Sequence, residues 1–402
     1  MASSPQSSGR SHVSETNREV ALAHAGEFEA LALGPLRIWP PVVLAPMAGV
    51  TNYPFRALCR EFGAGLYVSE MITARGYLNN NRRTVLLASS REDERPRSVQ
   101  IYSSDPRDAG EMVARLVEDG VDHVDLNLGC PVRKVTAHGG GAAIPVKPKL
   151  LAHLVGAMVR NAGRVPVTIK VRKGIDAELL TYRDAGRVAE EEGASAIGLH
   201  ARTAAQLYSG EADWEAIADL KSRCSIPVLG NGDIWESLDA LRMMRATGCD
   251  GVIVGRGCLG RPWLFRELAQ VFDGREPQLP PNLGEVRAVM LDHARRLVEF
   301  FGEPTALQQM RKWTAWYTKG FRNSAALRER LHQVTRLGEL EALLAGVDAS
   351  EPFPASALRA HRGKSGRTQK VSLPQGYLDD RDDATPPCEA FDAAEAESLE
   401  GG

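Results

Sequence analysis

A chain of 402 residues, 43% hydrophobic and 25% charged, has the make-up of an ordinary soluble globular protein with room for two domains. Its formal net charge of −2 excludes a uniformly basic coat for nucleic acid, and the lack of any apolar run of ~18 residues excludes a membrane span. Six cysteines (Cys59, Cys130, Cys224, Cys249, Cys258, Cys388) form no CxxC pair, so a disulfide framework and a zinc site are not expected and a reducing, cytoplasmic setting is.

Residues 1–30 are polar and lack an apolar signal core, so they read as a flexible leader. From Ile38 to Val271 short Val/Ile/Leu-rich runs alternate with longer helical patterns. The expected strands are Val42–Ala45, Gly65–Ser69, Ser98–Tyr102, His123–Asn127, Val167–Val171, Ala196–His200, Pro227–Gly230 and Gly251–Gly255. Between them lie helical stretches such as Asp108–Glu118, Leu150–Asn161, Tyr182–Glu191, Trp214–Lys221 and Ser237–Ala246. Eight such units predict a (βα)8 TIM barrel over residues 31–275, its strands apolar on both faces because helices cover them. Gly274–Pro281, with three prolines, reads as a linker. Residues 283–346 are helical throughout and predict a smaller all-helical C-terminal domain. Residues 350–402 run from a basic stretch (Arg359, Arg362, Lys364, Arg367, Lys370) to an acidic one, Asp379 to Glu400, and read as a disordered tail.

In a parallel barrel the chemistry sits just after the strands. The first strand leads into Pro46-Met47-Ala48-Gly49, small enough for a planar ligand to approach the backbone. The third carries Gln100, whose amide can both donate to and accept from a heteroaromatic edge. The fourth runs into Asn127-Leu128-Gly129-Cys130-Pro131, placing one thiol at a strand end where it can exchange a proton. The fifth carries Lys170, a cation in an apolar run that calls for an anionic or electron-rich partner. His200 and Arg202 follow the sixth, Asn231-Gly232-Asp233 the seventh, Gly255-Arg256-Gly257 the eighth. Taken singly, each has an ordinary explanation: a half-buried turn cysteine, a lysine paired within the barrel, a core histidine, a plain turn. Together, a phosphate over Gly232 and Gly255-Arg256 with a ring reaching past Lys170 and Gln100 to Met47 describes flavin mononucleotide. No GxGxxG opens the chain, which disfavours a stably bound dinucleotide.

These segments resemble the tRNA-dihydrouridine synthases, a bacterial flavoenzyme family. The likeness is carried by Ala45-Pro46-Met47-Ala48-Gly49-Val50-Thr51-Asn52-Tyr53-Pro54-Phe55-Arg56, Asn127-Leu128-Gly129-Cys130-Pro131, Lys170-Val171-Arg172-Lys173-Gly174, His200-Ala201-Arg202-Thr203 with Gln206, Tyr208 and Gly210, and Asn231-Gly232-Asp233-Ile234. It runs from about Val42 to Leu344, nearest to the branch acting on the D-loop, and departs in Ser103 and Ala201, where the family usually has glycine. The resemblance implies an oxidoreductase that uses NADPH (or NADH) to reduce FMN, and reduced FMN to saturate the 5,6 double bond of uridines in tRNA. It implies Cys130 as proton donor to carbon 5, a task for the neutral thiol and suited to an ordinary thiol pKa of ~8.5. FMN would rest on Pro46, Met47, Ala48, Gln100, Lys170, His200, Asn231, Gly232, Asp233, Gly255 and Arg256, with Asn127 and Arg202 facing the uracil. No membrane and no obligate protein partner is implied.

The helical region shows what the net charge conceals. Gln308 to Arg336 holds Arg311, Lys312, Lys319, Arg322, Arg328, Arg330 and Arg336 against one acid, Glu329. Lys312, Trp316 and Lys319 share one helical face, expected to meet phosphate, while Met310, Trp313 and Tyr317 share another, expected to pack inside. Arg311, Lys312, Lys319 and Arg322 are the expected tRNA contacts; solvated surface charge is the ordinary alternative. The rival activities are an FMN-dependent reductase of a free pyrimidine or enoate, which needs no basic appendage, and an RNA-binding module that merely keeps the fold.

Overall fold

The apolar runs pair side by side and in parallel in this computed structural model, which describes residues 12–363 and 366–387. A hairpin of Leu31–Leu33 (β1) and Leu36–Ile38 (β2) precedes the main sheet. That sheet holds Val42–Leu44 (β3), Leu66–Tyr67 (β4), Ile72–Thr73 (β5), Ser98–Tyr102 (β6), His123–Leu128 (β7), Val167–Arg172 (β8), Ala196–His200 (β9), Val228–Asn231 (β10) and Gly251–Val254 (β11). Its order is β4-β3-β11-β10-β9-β8-β7-β6-β5, all neighbours parallel. β4 and β5 are pieces of one interrupted stave: Val68 bridges Ser98 and β5 pairs with β6, so nine strands make eight staves and the barrel closes. The predicted barrel is borne out, with strand ends shifted by a residue or two. The hairpin and the split second stave were not legible, because two- and three-residue pieces have no periodicity to read.

The helices Tyr53–Glu61 (α1), Ala74–Leu78 (α2), Arg82–Ala88 (α3), Pro106–Glu118 (α4), Arg133–Thr136 (α5), Pro148–Ala162 (α6), Tyr182–Glu191 (α7), Trp214–Lys221 (α8) and Ser237–Thr247 (α9) follow the strands. Their starts are written locally. Asn52 caps α1 by accepting from the Phe55 amide, and Asp105 caps α4 by accepting from the Arg107 and Asp108 amides ahead of a proline in the first turn.

The side chains that point into the barrel differ around its wall. On one arc Val43, Ala45, Leu66, Val68, Ala196, Leu229 and Ile253 form an apolar cluster with Leu31, Leu33 and Ile38 of the hairpin, which plugs the amino-terminal end. On the other arc the same alternation brings up Ser98 and Gln100, His123, Asp125 and Asn127, and Thr168 and Lys170, all polar.

Contacts divide the described residues into two compact units: 28–233, 243–255 and 366–387 make the barrel unit, and 12–27, 234–242 and 256–363 the helical unit. In the helical unit Leu264–Phe272 (α10), Leu283–Phe301 (α11), Glu303–Tyr317 (α12), Ser324–His332 (α13) and Leu337–Ala345 (α14) bury Met290, Leu297, Leu307, Met310, Trp313 and Tyr317. Asn282 and Glu285 start α11 with a capping box.

Both ends of the chain differ from expectation. Of the leader, residues 12–27 belong to the helical unit. Asn17 donates to buried Asp239 at 2.9 Å, and the same carboxylate takes Arg359 from the expected tail at 2.9 Å. Residues 366–387 of that tail are tied to the barrel, as set out below, while Lys364 and the stretch 388–402 lie outside the described residues. Low hydrophobicity misled here because these segments are anchored by single buried polar and aromatic side chains, which composition does not register.

Candidate active site

Parallel strands bring all their carboxyl ends to one mouth of the barrel. There Asn127 Oδ1 accepts from the backbone amides of both Gly129 and Cys130, each at 3.1 Å, folding the chain back so that the half-buried Cys130 side chain packs on Met71, Tyr102 and Val135. Gly141, at φ +53°, lies against this turn. A Cβ there would stand 2.7 Å from the Cys130 carbonyl oxygen and 3.1 Å from Cys130 Cβ, so only glycine fits. Arg172 locks the turn from its other side, donating Nε to the Gly129 carbonyl at 2.9 Å and Nη1 to the Thr203 and Leu207 carbonyls at 3.0 and 2.8 Å.

Behind Asn127 runs a buried chain of hydrogen bonds with only one consistent direction. His123 is held neutral, its pKa pushed down to about 4 by burial. Thr168 donates to Asp125 Oδ1 at 2.6 Å, so its hydroxyl oxygen accepts from His123 Nε2–H at 2.9 Å, and His123 Nδ1 accepts from Ser98 at 2.7 Å. From the other side Gln100 donates Nε2 to Asp125 Oδ2 at 2.7 Å, and Asn127 donates Nδ2 to Gln100 Oε1 at 2.8 Å. Every donor therefore points, directly or in relay, toward the Asp125 carboxylate. Burial raises the Asp125 pKa to about 6 against the pull of Thr168, Gln100 and Lys170. The Gln100 amide keeps one N–H and one lone pair beyond these bonds.

Lys170 stands beside Asn127 in the register of β7 and β8, opposite Gly198, whose missing side chain leaves room for the lysine stem. Its Nζ donates to Asn231 Oδ1 at 3.0 Å, and Asn231 Nδ2 donates to the Ile253 carbonyl at 2.7 Å. Burial, then the nearby Arg172 cation, bring the Lys170 pKa down to about 8, with Asp125 working the other way. Arg202, only 1% exposed, chelates Asp233 with both contacts at 2.8 Å and donates to the Ser209 and Gly210 carbonyls. Its Nη1 has no partner among the described residues and lies 3.6 Å from where a Cβ of Gly232 would be. Gly232 and Asp233 both have positive φ, +128° and +58°, and a Cβ on Gly232 would stand 2.6 Å from Ala212 Cβ, so the turn needs glycine there. A Cβ on Gly255 would meet Ala45 Cβ at 3.6 Å and Met47 Sδ at 3.9 Å, ordinary contact, and the Met47 loop is fixed by Thr51 Oγ1 on the Met47 amide at 2.9 Å and Glu70 on the Gly49 amide at 2.7 Å. Pro46 and Ala48 lie in that loop, and His200 ends β9, its ring 6.3 Å from that of Tyr208.

The barrel unit thus brings together Pro46, Met47, Ala48, Gln100, Asn127, Cys130, Lys170, His200, Arg202, Asn231, Gly232, Asp233 and Gly255. Arg202, expected to face the uracil, has its guanidinium on Asp233 and the Ser209 and Gly210 carbonyls. Arg256 belongs to the helical unit, where its guanidinium covers the Trp235 ring at 5.1 Å. In the same unit Met310, Trp313 and Tyr317 are buried as expected. Arg311, Lys319 and Arg322 are exposed and Lys312 half-buried, but α12 ends at Tyr317, so Lys319 follows the helix and does not extend its face. Sequence reasoning missed Asp125, Thr168 and Arg172, although polar residues two apart in apolar strands were the signal. No cluster of His, Cys, Asp or Glu among the described residues could hold a metal, and no helix there is long and apolar enough to cross a membrane.

A family model described as dihydrouridine synthase matches residues 43–352 of the chain. A probable tRNA-dihydrouridine synthase of Mycobacterium tuberculosis (strain ATCC 25618 / H37Rv) is 50% identical over 370 residues, covering 89% of this chain and 95% of that protein. The tRNA-dihydrouridine synthase B of Pseudomonas aeruginosa is 39% identical over 320 residues, 80% of this chain and 95% of that one.

Proposed function

Since the chain belongs to the dihydrouridine synthase family, an oxidoreductase family acting on CH–CH bonds, we propose that it reduces the 5,6 double bond of uridines in tRNA, with FMN as cofactor, NADPH or NADH as reductant and Cys130 as proton donor. The observation that carries this reading is the partly exposed Cys130 thiol set on a turn that Asn127 and Arg172 hold from two sides, at the barrel mouth that also carries Lys170.

The residues fit a planar cofactor with a phosphate. The unpartnered Nη1 of buried Arg202 beside Gly232, and the room over the backbone at Gly255, suit an anionic group. Lys170 suits electron-rich ring atoms, and the remaining N–H and lone pair of Gln100 suit a ring edge that both accepts and donates. Met47, against the apolar arc, offers a face for the ring system. FMN bound there and reduced by the nicotinamide would supply the hydride for carbon 6 of the uracil. Cys130 then gives its proton to carbon 5, the thiolate being reprotonated from solvent at the mouth. Asn127 and Gln100, both anchored to Asp125, hold the cofactor side and the thiol side of the site in one register, which is what a two-sided addition needs. A uridine must leave its stack to reach the mouth, at a cost of a few kcal/mol. Phosphate contacts from Arg311, Lys312, Lys319 and Arg322 would offset it. A free-pyrimidine reductase would have no use for those cations.

Purified protein should be yellow, release FMN on denaturation, and form dihydrouridine in tRNA taken from a strain lacking this activity when NADPH is supplied. Release of FAD, or reduction of free uracil at the rate of tRNA uridine, would defeat this reading.

A further inference from the structure

The Cys130 turn sits at the head of a loop with a costly run of glycines. Residues 138–141 read His-Gly-Gly-Gly, with Gly139 at φ +79° and Gly141 at φ +53°, and Gly141 cannot gain a side chain without striking the Cys130 carbonyl. Three glycines in a row lose more backbone freedom on ordering than any other tripeptide, on the order of 1–2 kcal/mol per residue. Backbone bonds within the loop, from Gly139 to Thr136, Gly140 to Val135 and Ala142 to Cys130, offset part of that cost.

Further bracing comes from residues 366–387, which lie beyond the 43–352 span of the family match. Gln369 places its side-chain nitrogen between two carbonyls, donating to Pro131 at 2.7 Å and Ala204 at 3.1 Å, while its backbone amide donates to Ala205 at 2.9 Å. One residue thereby clips the turn after β7 to the loop after β9. Two carbonyl acceptors need two hydrogens, which an amide supplies and a carboxylate does not. Further along, Tyr377, 7% exposed, packs among Ala143, Val146 and Ile175 and aims its hydroxyl at the Gly139 and Ala143 carbonyls at 3.2 and 3.3 Å. A Cβ on Gly139 would meet both the Tyr377 ring and Pro387 at 3.0 Å. Lys147, at the end of the same loop, pairs with Asp383 at 2.5 Å, and Arg381 donates to the Val146 carbonyl at 3.0 Å.

We propose that the segment Gly366–Pro387 is a brace that sets the position of the Cys130 turn, with Gln369 as its positioning residue; this rests on Cys130 acting as the proton donor. Neither residue touches substrate. They act by holding the backbone on both sides of the thiol, where a displacement of about 1 Å can cost as much as 10²-fold in rate.

The test uses FMN-loaded protein in four forms besides wild type: a chain stopped after Gly363, Gln369→Glu, Gln369→Lys and Tyr377→Phe. Three quantities are read: deuterium exchange of amides 129–146, flavin reduction by NADPH, and single-turnover dihydrouridine formation at saturating tRNA. The brace predicts exchange in 129–146 faster by about 10-fold or more in the shortened chain, and dihydrouridine formation slower by roughly 10- to 10²-fold. Gln369→Glu and Tyr377→Phe should show the same pattern more weakly, Gln369→Lys should recover part of the loss by supplying donors again, and flavin reduction should hold in all. Unchanged exchange in both Gln369→Glu and the shortened chain overturns the proposal, as does faster exchange with an unchanged single-turnover rate. A loss confined to tRNA affinity also overturns it, by making the segment an RNA contact. Cys130→Ala, run alongside, separates the two readings. If it reduces tRNA at the wild-type rate, the thiol has no role and the brace no target; if it is inactive while the shortened chain shows faster exchange and slower reduction, both stand.

Discussion

The polar residues of the barrel strands and the basic residues on and after α12 are held in opposite ways. In the barrel, Ser98, His123, Thr168, Asp125, Gln100 and Asn127 satisfy one another out of water, so each fixes the orientation of the next. In the helical unit Arg311, Lys319 and Arg322 stand in solvent, while buried polar groups serve its core: the His293 ring meets Trp313 at 4.5 Å and its Nδ1 meets the Tyr317 hydroxyl at 3.2 Å, and Asp239 ties Asn17 to Arg359. A buried network makes single side chains decisive and pH-sensitive, whereas exposed cations act weakly, in number, and under the control of salt.

Consequences of that contrast can be ranked. The largest belongs to Cys130→Ala, which should lower uridine reduction by about 10²–10⁴-fold, the range of a lost general acid, with FMN content and NADPH oxidation by the flavin intact. Steady-state rates beside flavin content measured on one preparation check this. Next, Lys170→Ala should weaken FMN binding by roughly 10- to 10²-fold, matching the ~1.5–3 kcal/mol of a charged hydrogen bond. Flavin titration into the apoprotein is the measurement, and unaltered affinity would take Lys170 out of the cofactor site.

Asp125 gives a stability test whose sign is fixed. Its folded pKa of about 6 lies above the ordinary carboxylate value of ~3.9, so between those values the folded state binds more protons than the unfolded one. This group's contribution to stability therefore falls as pH rises from about 4 to 6, by at most ~3 kcal/mol for two units at ~1.4 each. Lys170, lowered to about 8, works in reverse: its contribution rises as pH climbs from about 8 to 10. Urea unfolding of the apoprotein against pH should show Asp125→Asn flattening the slope on the acidic side alone. An unchanged slope would mean that the carboxylate is ionised and compensated throughout. Smallest is the effect in the helical unit. Replacing Lys312, Lys319 and Arg322 together by Ala should make log affinity for tRNA against log salt less steep by up to about two or three units, each lost phosphate contributing ~0.7–0.9. Lys319, lying past the end of α12, and half-buried Lys312 should not contribute equally.

Legibility followed the same divide. Strands such as Ser98–Tyr102 and Ala196–His200 were readable to the residue because apolar runs covered on both faces have sharp ends. The mouth residues were readable because strand polarity dictates where they lie. Asp125 and Thr168 were not picked out, since a polar residue inside a strand is ambiguous until its neighbours across the register are known; Gln100, Asp125 and Thr168 stand side by side on adjacent strands. The pairing of Arg202 with Asp233 was not legible, because the two are thirty-one residues apart in sequence. The brace escaped for a related reason: Gln369 and Tyr377 each anchor to carbonyls more than 160 residues upstream, and such bonds leave no local pattern.

The separation of chemistry in the barrel from RNA holding in the helical unit is tested most directly by one single-turnover experiment. Enzyme whose flavin has been reduced anaerobically is mixed with rising concentrations of tRNA, and flavin reoxidation and dihydrouridine are followed together for wild type, Cys130→Ala and the Lys312/Lys319/Arg322 triple Ala variant. The expected result is a limiting rate reduced about 10²-fold or more in Cys130→Ala at every tRNA concentration, and a triple variant that reaches the wild-type limit but needs more tRNA to do so. A wild-type limiting rate in Cys130→Ala, or a triple variant slowed at saturation with unchanged tRNA dependence, would contradict it.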